Sequence, residues 1–292
     1  TTDDQLWRYL GSAVIEHSVP AVSVAISHGD DLYLAARGTL NLDSGVEATT
    51  DSVFQIGSIT KVMTSCLILQ LVDEGRIDLA APVKRYLGDF MVADAEASEK
   101  INVRQLLNHT SGMAGDFFPD DQGHEGNLIA RYIDRCNLLP LIHPPGTLYS
   151  YSNSAFVIAG RLVEVMRGIS WYQAMEDYIF KPLGMEHALA DPKELIRYRA
   201  AMGHIWDGER WNVSPQPWLP LGMAPCGSTP TMSASDLILF ARAHLENGQS
   251  SSGQSWLSTL SVQAMQQREI ALPKTSQNII RPARLGWAMR EY

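Results

Sequence analysis

Residues 58–74 of the chain read SITKVMTSCLILQLVDE and are followed by Gly75. Apolar side chains occupy nearly every face of this stretch, which is typical of a buried helix, and a glycine directly after the last turn is a common helix end. Lys61 is the exception, because it places an amine among apolar neighbours. Ser58 precedes it by three residues, so the two side chains are predicted to share one face of the helix, one turn apart.

This pair has the chemistry of a nucleophile and a base. A serine in the first turn of a helix lies near free backbone N–H groups and the positive end of the helix dipole, which is also a favourable place for a developing oxyanion. Burial disfavours the charged ammonium of Lys61, and a neutral amine beside a serine hydroxyl can accept its proton. In the alternative interpretation, Ser58 caps the helix and the Lys61 side chain extends to water.

A second candidate group is Tyr151-Ser152-Asn153, which opens a predicted helix over residues 153–167 that ends at Gly168. A tyrosine on a loop, with an asparagine two residues later, can present a phenol and a carboxamide to one cavity. The phenol can relay a proton to a leaving group when a cation lies nearby, and the carboxamide can hold Lys61 and a substrate carbonyl. In the alternative interpretation, Asn153 only caps the helix and the Tyr151 side chain only packs against its neighbours.

The remaining pattern is mixed α and β. Residues 4–16 predict an amphipathic helix, and two β-rich runs, 22–27 and 32–36, flank a Gly-Asp turn and predict a hairpin. Residues 233–246 predict a helix with Ser233 as its N-cap. A loop is expected over 115–127, and Leu285-Gly286-Trp287 marks the start of a strand.

Composition excludes several classes of protein. The 292 residues include 23 Lys and Arg against 32 Asp and Glu, a net charge of −9, and an acidic surface argues against nucleic acid as the main partner. No run approaches the roughly 18 apolar residues of a membrane span. No HExxH, GxGxxG or Cys/His cluster indicates a metal or organic cofactor, and the three cysteines predict neither a disulfide framework nor a metal site. The sequence is compatible with a cytoplasmic protein and with one exported after signal removal.

Six motifs occur in order along the chain: Phe54-Gln55-Ile56-Gly57-Ser58-Ile59-Thr60-Lys61, Leu106-Leu107-Asn108-His109-Thr110-Ser111-Gly112, Pro145-Gly146-Thr147 with Tyr151-Ser152-Asn153, Pro182-Leu183-Gly184-Met185, Gly227-Ser228-Thr229, and Ser233-Ala234-Ser235-Asp236-Leu237. Together they resemble the serine β-lactamase and penicillin-binding superfamily. The similarity is greatest to class C β-lactamases, D-aminopeptidases, DD-carboxypeptidases and family VIII esterases.

The resemblance implies a role for each matching residue. Ser58 would be the nucleophile, Lys61 its activating partner and Tyr151 the general base and acid, while Asn153 would orient Lys61 and the substrate. His109 is expected to be a buried hydrogen-bonding residue rather than a catalyst. The 115–127 loop lies where the family varies the rim of its site, which makes Asp120, Asp121 and His124 weak candidates for substrate contact.

The implied fold is α/β (α+β) and β-lactamase-like, with an antiparallel sheet flanked by helices. One α/β lobe would comprise residues 1–80 and 210–292, and a mostly helical lobe residues 81–209, with the site in the groove between them. The family also has a third motif, K-T-G or H-x-G, on a strand after the Leu-Gly-Trp stretch. Lys274-Thr275-Ser276 precedes that stretch, lacks the glycine and is interpreted as a loop. A two-stranded hairpin with open edges is marginal by itself, so a separate C-terminal segment or chain is expected to complete the sheet.

The expected function is that of a serine hydrolase that forms an acyl-enzyme with an ester, amide, peptide or β-lactam carbonyl, without cofactor or metal. An acyltransferase that passes the same acyl group to another nucleophile is one alternative. A non-catalytic binding protein on the same fold is another, because fold alone does not determine function.

Overall fold

The computed structural model of the chain describes residues 2–119, 126–270 and 280–290. The α-helices within these ranges are α1 (Thr2–Glu16), α2 (Thr60–Asp73), α3 (Ala95–Lys100), α4 (Val103–Leu107), α5 (Leu128–Asp134), α6 (Asn153–Arg167), α7 (Trp171–Met175), α8 (Lys181–Leu183), α9 (Ala234–Leu245) and α10 (Thr259–Gln266). The strands are β1 (Ala21–His28), β2 (Asp31–Asn41), β3 (Val46–Glu47), β4 (Phe54–Gln55), β5 (Ala188–Leu189), β6 (His204–Trp206), β7 (Trp211–Val213), β8 (Thr231–Met232), β9 (Ile280–Ala283) and β10 (Ala288–Arg290).

The predicted hairpin is confirmed and forms the largest sheet of the described residues. β1 pairs antiparallel with β2, with Ala21 opposite Gly38 and His28 opposite Asp31, and β3 extends the sheet on the far side of β2. Gly29 occupies the turn with φ +59°, which glycine adopts without a steric penalty. Helix α1 packs against β2 and α9 against β1, so helices flank the hairpin as predicted.

The predicted buried helix is α2, and all its residues from Thr60 to Leu71 are buried. It is preceded by a single 3₁₀ turn, Gly57–Ile59. α2 packs against α6 and against a second 3₁₀ segment, Leu221–Cys226. One continuous apolar core includes side chains of α2, α4, α6, α7 and α9.

Helix α6 has the predicted bounds because both of its ends are encoded locally. The Ser152 side chain caps its N-terminus by accepting a hydrogen bond from the Ala155 N–H at 3.2 Å, and Gly168 ends it in the left-handed conformation at φ +73°. The alternative in which Asn153 is the cap is therefore wrong. Ser152, the residue before Asn153, provides the cap, so the Asn153 carboxamide can hydrogen-bond elsewhere.

Short strands from three distant parts of the chain meet just before the Ser58 turn. β8 pairs antiparallel with β4 on one side and with β5 on the other, so that Phe54 and Ala188 both lie opposite Met232. This small sheet connects the 188 and 231 regions to the segment that leads into Ser58. The mixed α/β fold class of the prediction is thus confirmed.

Other predictions concern regions or bounds that the described residues do not test. The division into lobes at residues 80, 81, 209 and 210 stays a prediction, as does the further C-terminal segment. Lys274-Thr275-Ser276 lies outside the described residues. Within the described ranges, every helix is too short or too polar to cross a lipid bilayer.

Candidate active site

Ser58 lies in the 3₁₀ turn between β4 and α2, and it is exposed, whereas Thr60 and Lys61 are buried. Ile59 occupies the N-cap position of α2 and makes no side-chain cap, so the alternative role of Ser58 as a helix cap is wrong. The Ser58 hydroxyl instead contacts side chains from elsewhere. Backbone N–H groups of a first helical turn have no partner within the helix, which leaves the Ser58 N–H suited to bind an oxyanion.

Two predicted partners meet at the Ser58 hydroxyl. Lys61 Nζ donates a hydrogen bond to Ser58 Oγ at 3.0 Å, and the Tyr151 hydroxyl donates to the same oxygen at 2.7 Å. Tyr151 comes from a point 93 residues further along the chain. Both distances are within the range for direct proton transfer between heteroatoms.

Lys61 is held away from water. The residue is 2% exposed, so the alternative in which its side chain extends to solvent is wrong. Its Nζ donates a second hydrogen bond, at 2.7 Å, to the carbonyl oxygen of Cys226. The same nitrogen lies 4.8 Å from the centre of the Tyr151 ring and 5.8 Å from that of Phe156, both within the range of a cation–π contact.

The segment that supplies the Cys226 carbonyl is clamped between two helices. Thr64 on α2 donates to the Pro225 carbonyl at 2.8 Å. A Cβ on Gly160 of α6 would lie 2.3 Å from the Pro225 ring, so only glycine permits this approach. The close packing fixes the Lys61 acceptor. Burial also raises the pKa of the Cys226 thiol to about 11, which keeps it protonated and unreactive beside the site.

Tyr151 is 41% exposed and rests on a buried imidazole. The His109 ring stacks on the phenol with 4.5 Å between centroids and 26° between planes. His109 Nδ1 accepts the Ser152 N–H at 3.0 Å, which confirms the expected buried hydrogen-bonding role. Burial, assisted by the charge of Lys61, lowers the pKa of His109 to about 3, so the ring is neutral near pH 7.

Asn153 does not make the expected contact with Lys61, and its expected contact with substrate stays a prediction. Its Nδ2 donates to Asp116 Oδ1 at 3.1 Å, whereas the hydrogen bonds of Lys61 within the described residues go to Ser58 and Cys226. The physical reason is local: Asn153 N donates to the Gly115 carbonyl at 3.1 Å, which brings the 115–116 segment beside the start of α6. Orientation of Lys61 is thus provided by a backbone carbonyl.

Sequence reasoning missed two participants, the Cys226 carbonyl and Asp116. A carbonyl oxygen has no sequence signal, although the glycine after Cys226 hints at a close backbone approach. Asp116 lies in the loop predicted over 115–127, where no periodicity distinguishes one acid from another. Asp120, Asp121 and His124 lie outside the described residues.

Described side chains offer no obvious metal site. Within the described ranges, no group of three or more His, Cys, Asp or Glu side chains is placed to hold a metal ion. The three cysteines are free and buried, in agreement with the sequence, and burial raises the pKa of Cys66 well above its usual range.

Comparison with known proteins identifies relatives along almost the whole chain. The family model described as Beta-lactamase matches residues 5–291. The chain is 39% identical over 282 residues to Penicillin-binding protein 4 of Amycolatopsis lactamdurans, covering 95% of this chain and 73% of that protein. It is 32% identical over 181 residues to Esterase EstB of Burkholderia gladioli, covering 57% of this chain but only 46% of the esterase.

The fold is shared with a solved amidase. The crystal structure of D-amino acid amidase from Ochrobactrum anthropi superposes with a TM-score of 0.80 at 21% identity, covering all of this chain and 82% of the amidase. These matches confirm the predicted superfamily and the β-lactamase-like fold. Together with the hydrolase names of the relatives, they confirm the prediction of a serine hydrolase of the β-lactamase-related type.

Proposed function

Because the chain belongs to the β-lactamase family, we propose that it hydrolyses an ester, amide or β-lactam bond through an acyl-enzyme on Ser58, with Lys61 and Tyr151 as its proton-transfer pair. One observation carries the proposal: Ser58 Oγ has Lys61 Nζ at 3.0 Å and the Tyr151 hydroxyl at 2.7 Å. A nucleophile within hydrogen-bond reach of a base that is itself oriented by a third group is the arrangement required for covalent catalysis.

The steps follow from this arrangement. Ser58 Oγ attacks the substrate carbonyl carbon. As the Oγ–carbon bond forms, the serine proton passes to the Lys61–Tyr151 pair, which accepts it in the form that carries one proton fewer than an ammonium and a phenol together. The carbonyl oxygen becomes an oxyanion, for which the Ser58 N–H is a donor. Collapse of the tetrahedral intermediate breaks the bond to nitrogen or oxygen, and the pair returns the proton to the leaving amine or alcohol.

Deacylation repeats the sequence with water. A water molecule attacks the ester carbon of the acyl-enzyme and gives its proton to the same pair, and the second tetrahedral intermediate releases the acid. The proton then returns to Ser58 Oγ.

Covalent labelling tests this proposal directly. The protein would be treated with a fluorophosphonate, whose phosphorus is attacked by an activated serine with loss of fluoride, and its intact mass measured. We expect a single adduct on the wild type and on Ser44→Ala, a control in an exposed turn, and none on Ser58→Ala. An adduct retained in Ser58→Ala, or a failure of the wild type to be labelled or to hydrolyse p-nitrophenyl esters and penicillins, would contradict the assignment of Ser58.

The rim of the site favours a particular kind of substrate. Asp116 is exposed, and its Oδ1 is held by Asn153, two residues after Tyr151. Among the residues described, no Lys, Arg or His forms an ion pair with this carboxylate. A substrate with an ammonium group beside its scissile carbonyl, such as an amino-acid amide or ester, would supply the missing cation.

A pair of matched substrates tests the role of Asp116. Phenylalanine p-nitroanilide, in each enantiomer, would be compared with its deaminated analogue, the 3-phenylpropionic acid p-nitroanilide. Because a hydrogen bond to a charged group contributes about 1.5–3 kcal/mol, Asp116→Asn should lower kcat/KM for the amine substrate roughly tenfold or more and leave the deaminated one unchanged. Asp43→Asn, an exposed acid in the β2–β3 turn, serves as the control. Equal losses on both substrates would mean that Asp116 acts only through Asn153.

A further inference from the structure

His109 contacts the catalytic loop on both sides of Tyr151. Its backbone carbonyl accepts the Ser150 N–H at 2.8 Å, and its Nδ1 accepts the Ser152 N–H at 3.0 Å. Between these two bonds, its ring stacks on the phenol with 4.5 Å between centroids. One residue therefore restrains the backbone before Tyr151, the backbone after it and the plane of its ring.

His109 is itself held firmly. It has a left-handed backbone conformation, φ +61°, which is uncommon for residues other than glycine but is adopted by His more readily than by most. The residue is 7% exposed. The centre of its ring lies 5.6 Å from that of Tyr149, which it meets edge-on, and 5.2 Å from that of Phe156 on α6. The imidazole therefore has little freedom to turn. Because the His109 ring is held in place, it can in turn restrain the Tyr151 ring that stacks on its face.

The protonation state of the ring is part of the arrangement. Because Nδ1 accepts a hydrogen bond, the neutral ring carries its proton on Nε2. A proton on Nδ1 would remove the acceptor for Ser152 and would place a second positive charge near Lys61. The depressed pKa of His109, about 3, is consistent with a ring that stays neutral across the working pH range of most hydrolases.

We propose that His109 is a positioning residue that fixes the distance between the Tyr151 hydroxyl and Ser58 Oγ by holding the backbone on both sides of Tyr151 and the face of its ring. This inference rests on the proposed role of Tyr151 in proton transfer. It assigns His109 no contact with substrate. In this role the stacked ring and the Nδ1 acceptor of one side chain act together on Tyr151.

Two substitutions separate the stacking of the His109 ring from its hydrogen bond with the Ser152 N–H. His109→Asn keeps an acceptor for the Ser152 N–H and tolerates the left-handed backbone, but it removes the stacking ring. His109→Phe keeps a ring but leaves the Ser152 N–H without its partner. Because displacements near 1 Å at a reacting centre can cost about 100-fold in rate, we expect each variant to lower kcat about tenfold or more, with KM within about twofold. His28→Asn, at the end of β1, is the matched control and should keep the wild-type kcat.

A double-mutant cycle with Tyr151→Phe distinguishes positioning from general destabilisation. If His109 acts through the phenol, His109→Asn should lower kcat when it is made alone. The same substitution made in the Tyr151→Phe protein should cause no further loss of kcat. The variants would be checked by thermal denaturation, and the assay run well below each midpoint. Equal kcat losses in the two backgrounds, or wild-type kcat for both His109 variants, would overturn the inference. A wild-type kcat for Tyr151→Phe itself would instead refute the proposed role of Tyr151, and the inference with it.

Discussion

Replacing Gly227 by alanine should displace the turn that carries Ser58. A Cβ built on Gly227 would lie 2.2 Å from the Gly57 carbonyl oxygen, 2.4 Å from its carbon and 3.0 Å from the Ser58 nitrogen. All three are backbone atoms, so no side-chain rotation can relieve the contact. Because real Cβ contacts essentially never fall below 3.0 Å, the Ser58 turn or the Gly227 segment must move by about 0.8 Å, the difference between 3.0 and 2.2 Å.

Two costs follow from this geometry. Gly227 has φ +120°, and a non-glycine residue in such a conformation costs about 1–3 kcal/mol in free energy of unfolding. The displacement adds to this cost and moves Ser58 relative to Lys61 and Tyr151. A misplacement approaching 1 Å can reduce rate about 100-fold, so we expect kcat to fall by about two orders of magnitude.

A second glycine separates the two effects. Gly208, between β6 and β7, has φ +106°, but a Cβ on this residue would have no atom within 4 Å, so Gly208→Ala carries the backbone penalty alone. Urea denaturation would give the free energy of unfolding, and hydrolysis of a p-nitrophenyl ester would give kcat. We expect both variants to lose stability and only Gly227→Ala to lose activity. A Gly227→Ala enzyme that turned over within twofold of the wild type would refute the argument that this contact positions Ser58.

Three other substitutions test the roles of Tyr151, Lys61 and the buried His244. Tyr151→Phe removes the hydroxyl 2.7 Å from Ser58 Oγ and keeps the stacked ring, so kcat should fall about 10²–10⁴-fold with little change in Tm; an unchanged kcat would remove the phenol from the mechanism. Lys61→Met removes the donor to Ser58 and Cys226, and should abolish measurable turnover and fluorophosphonate labelling in a protein that still folds by circular dichroism; rapid labelling would contradict it. Burial lowers the pKa of His244 from 6.5 to about 4, so the unfolded chain binds more protons between these values and stability falls as the pH drops from 6.5 towards 4, by about 3 kcal/mol. His109, whose pKa is also lowered, destabilises the fold at low pH in the same way. Urea titrations would give the free energy of unfolding at pH 7 and at pH 4.5, and His244→Gln should remove roughly half of the decrease between them. An unaltered decrease in this variant would contradict the effect assigned to His244.

Residues whose position depends on local structure could be predicted from sequence. Ser58 and Lys61 are three residues apart on one helical segment, so their proximity follows from helix geometry once the segment is identified. The bounds of α6 follow from a serine cap and a terminal glycine. α9 lies within one residue of its prediction for a similar reason, because Ser233 caps it by accepting the Asp236 N–H at 3.1 Å.

Features that depend on distant segments could not be predicted in this way. β4, β5 and β8 have two residues each, which is too short for an alternating pattern, and they pair only because the tertiary fold brings residues 54, 188 and 231 together. The position of Tyr151 opposite Ser58 follows from the resemblance to a family, because no spacing rule relates residues 58 and 151. His109 combines a left-handed backbone angle with stacking on Tyr151, and although His adopts this angle more readily than most residues, its identity alone predicts neither feature.

The surroundings of Lys61 show how the fold accommodates a buried amine beside Ser58 with neutral acceptors. Burying a cation is costly unless it is paired and hydrogen-bonded. Within the described residues, Lys61 has no carboxylate partner and is stabilised by two neutral acceptors, the Cys226 carbonyl and Ser58 Oγ, and by the face of the Tyr151 ring. A buried carboxylate would have attracted the Lys61 side chain strongly and competed with Ser58 Oγ for it. The neutral acceptors instead hold the Lys61 amine beside Ser58 Oγ and the Tyr151 ring. The His109 ring, with its pKa lowered to about 3, is neutral near pH 7 and so adds no charge beside Lys61 and the Tyr151 phenol.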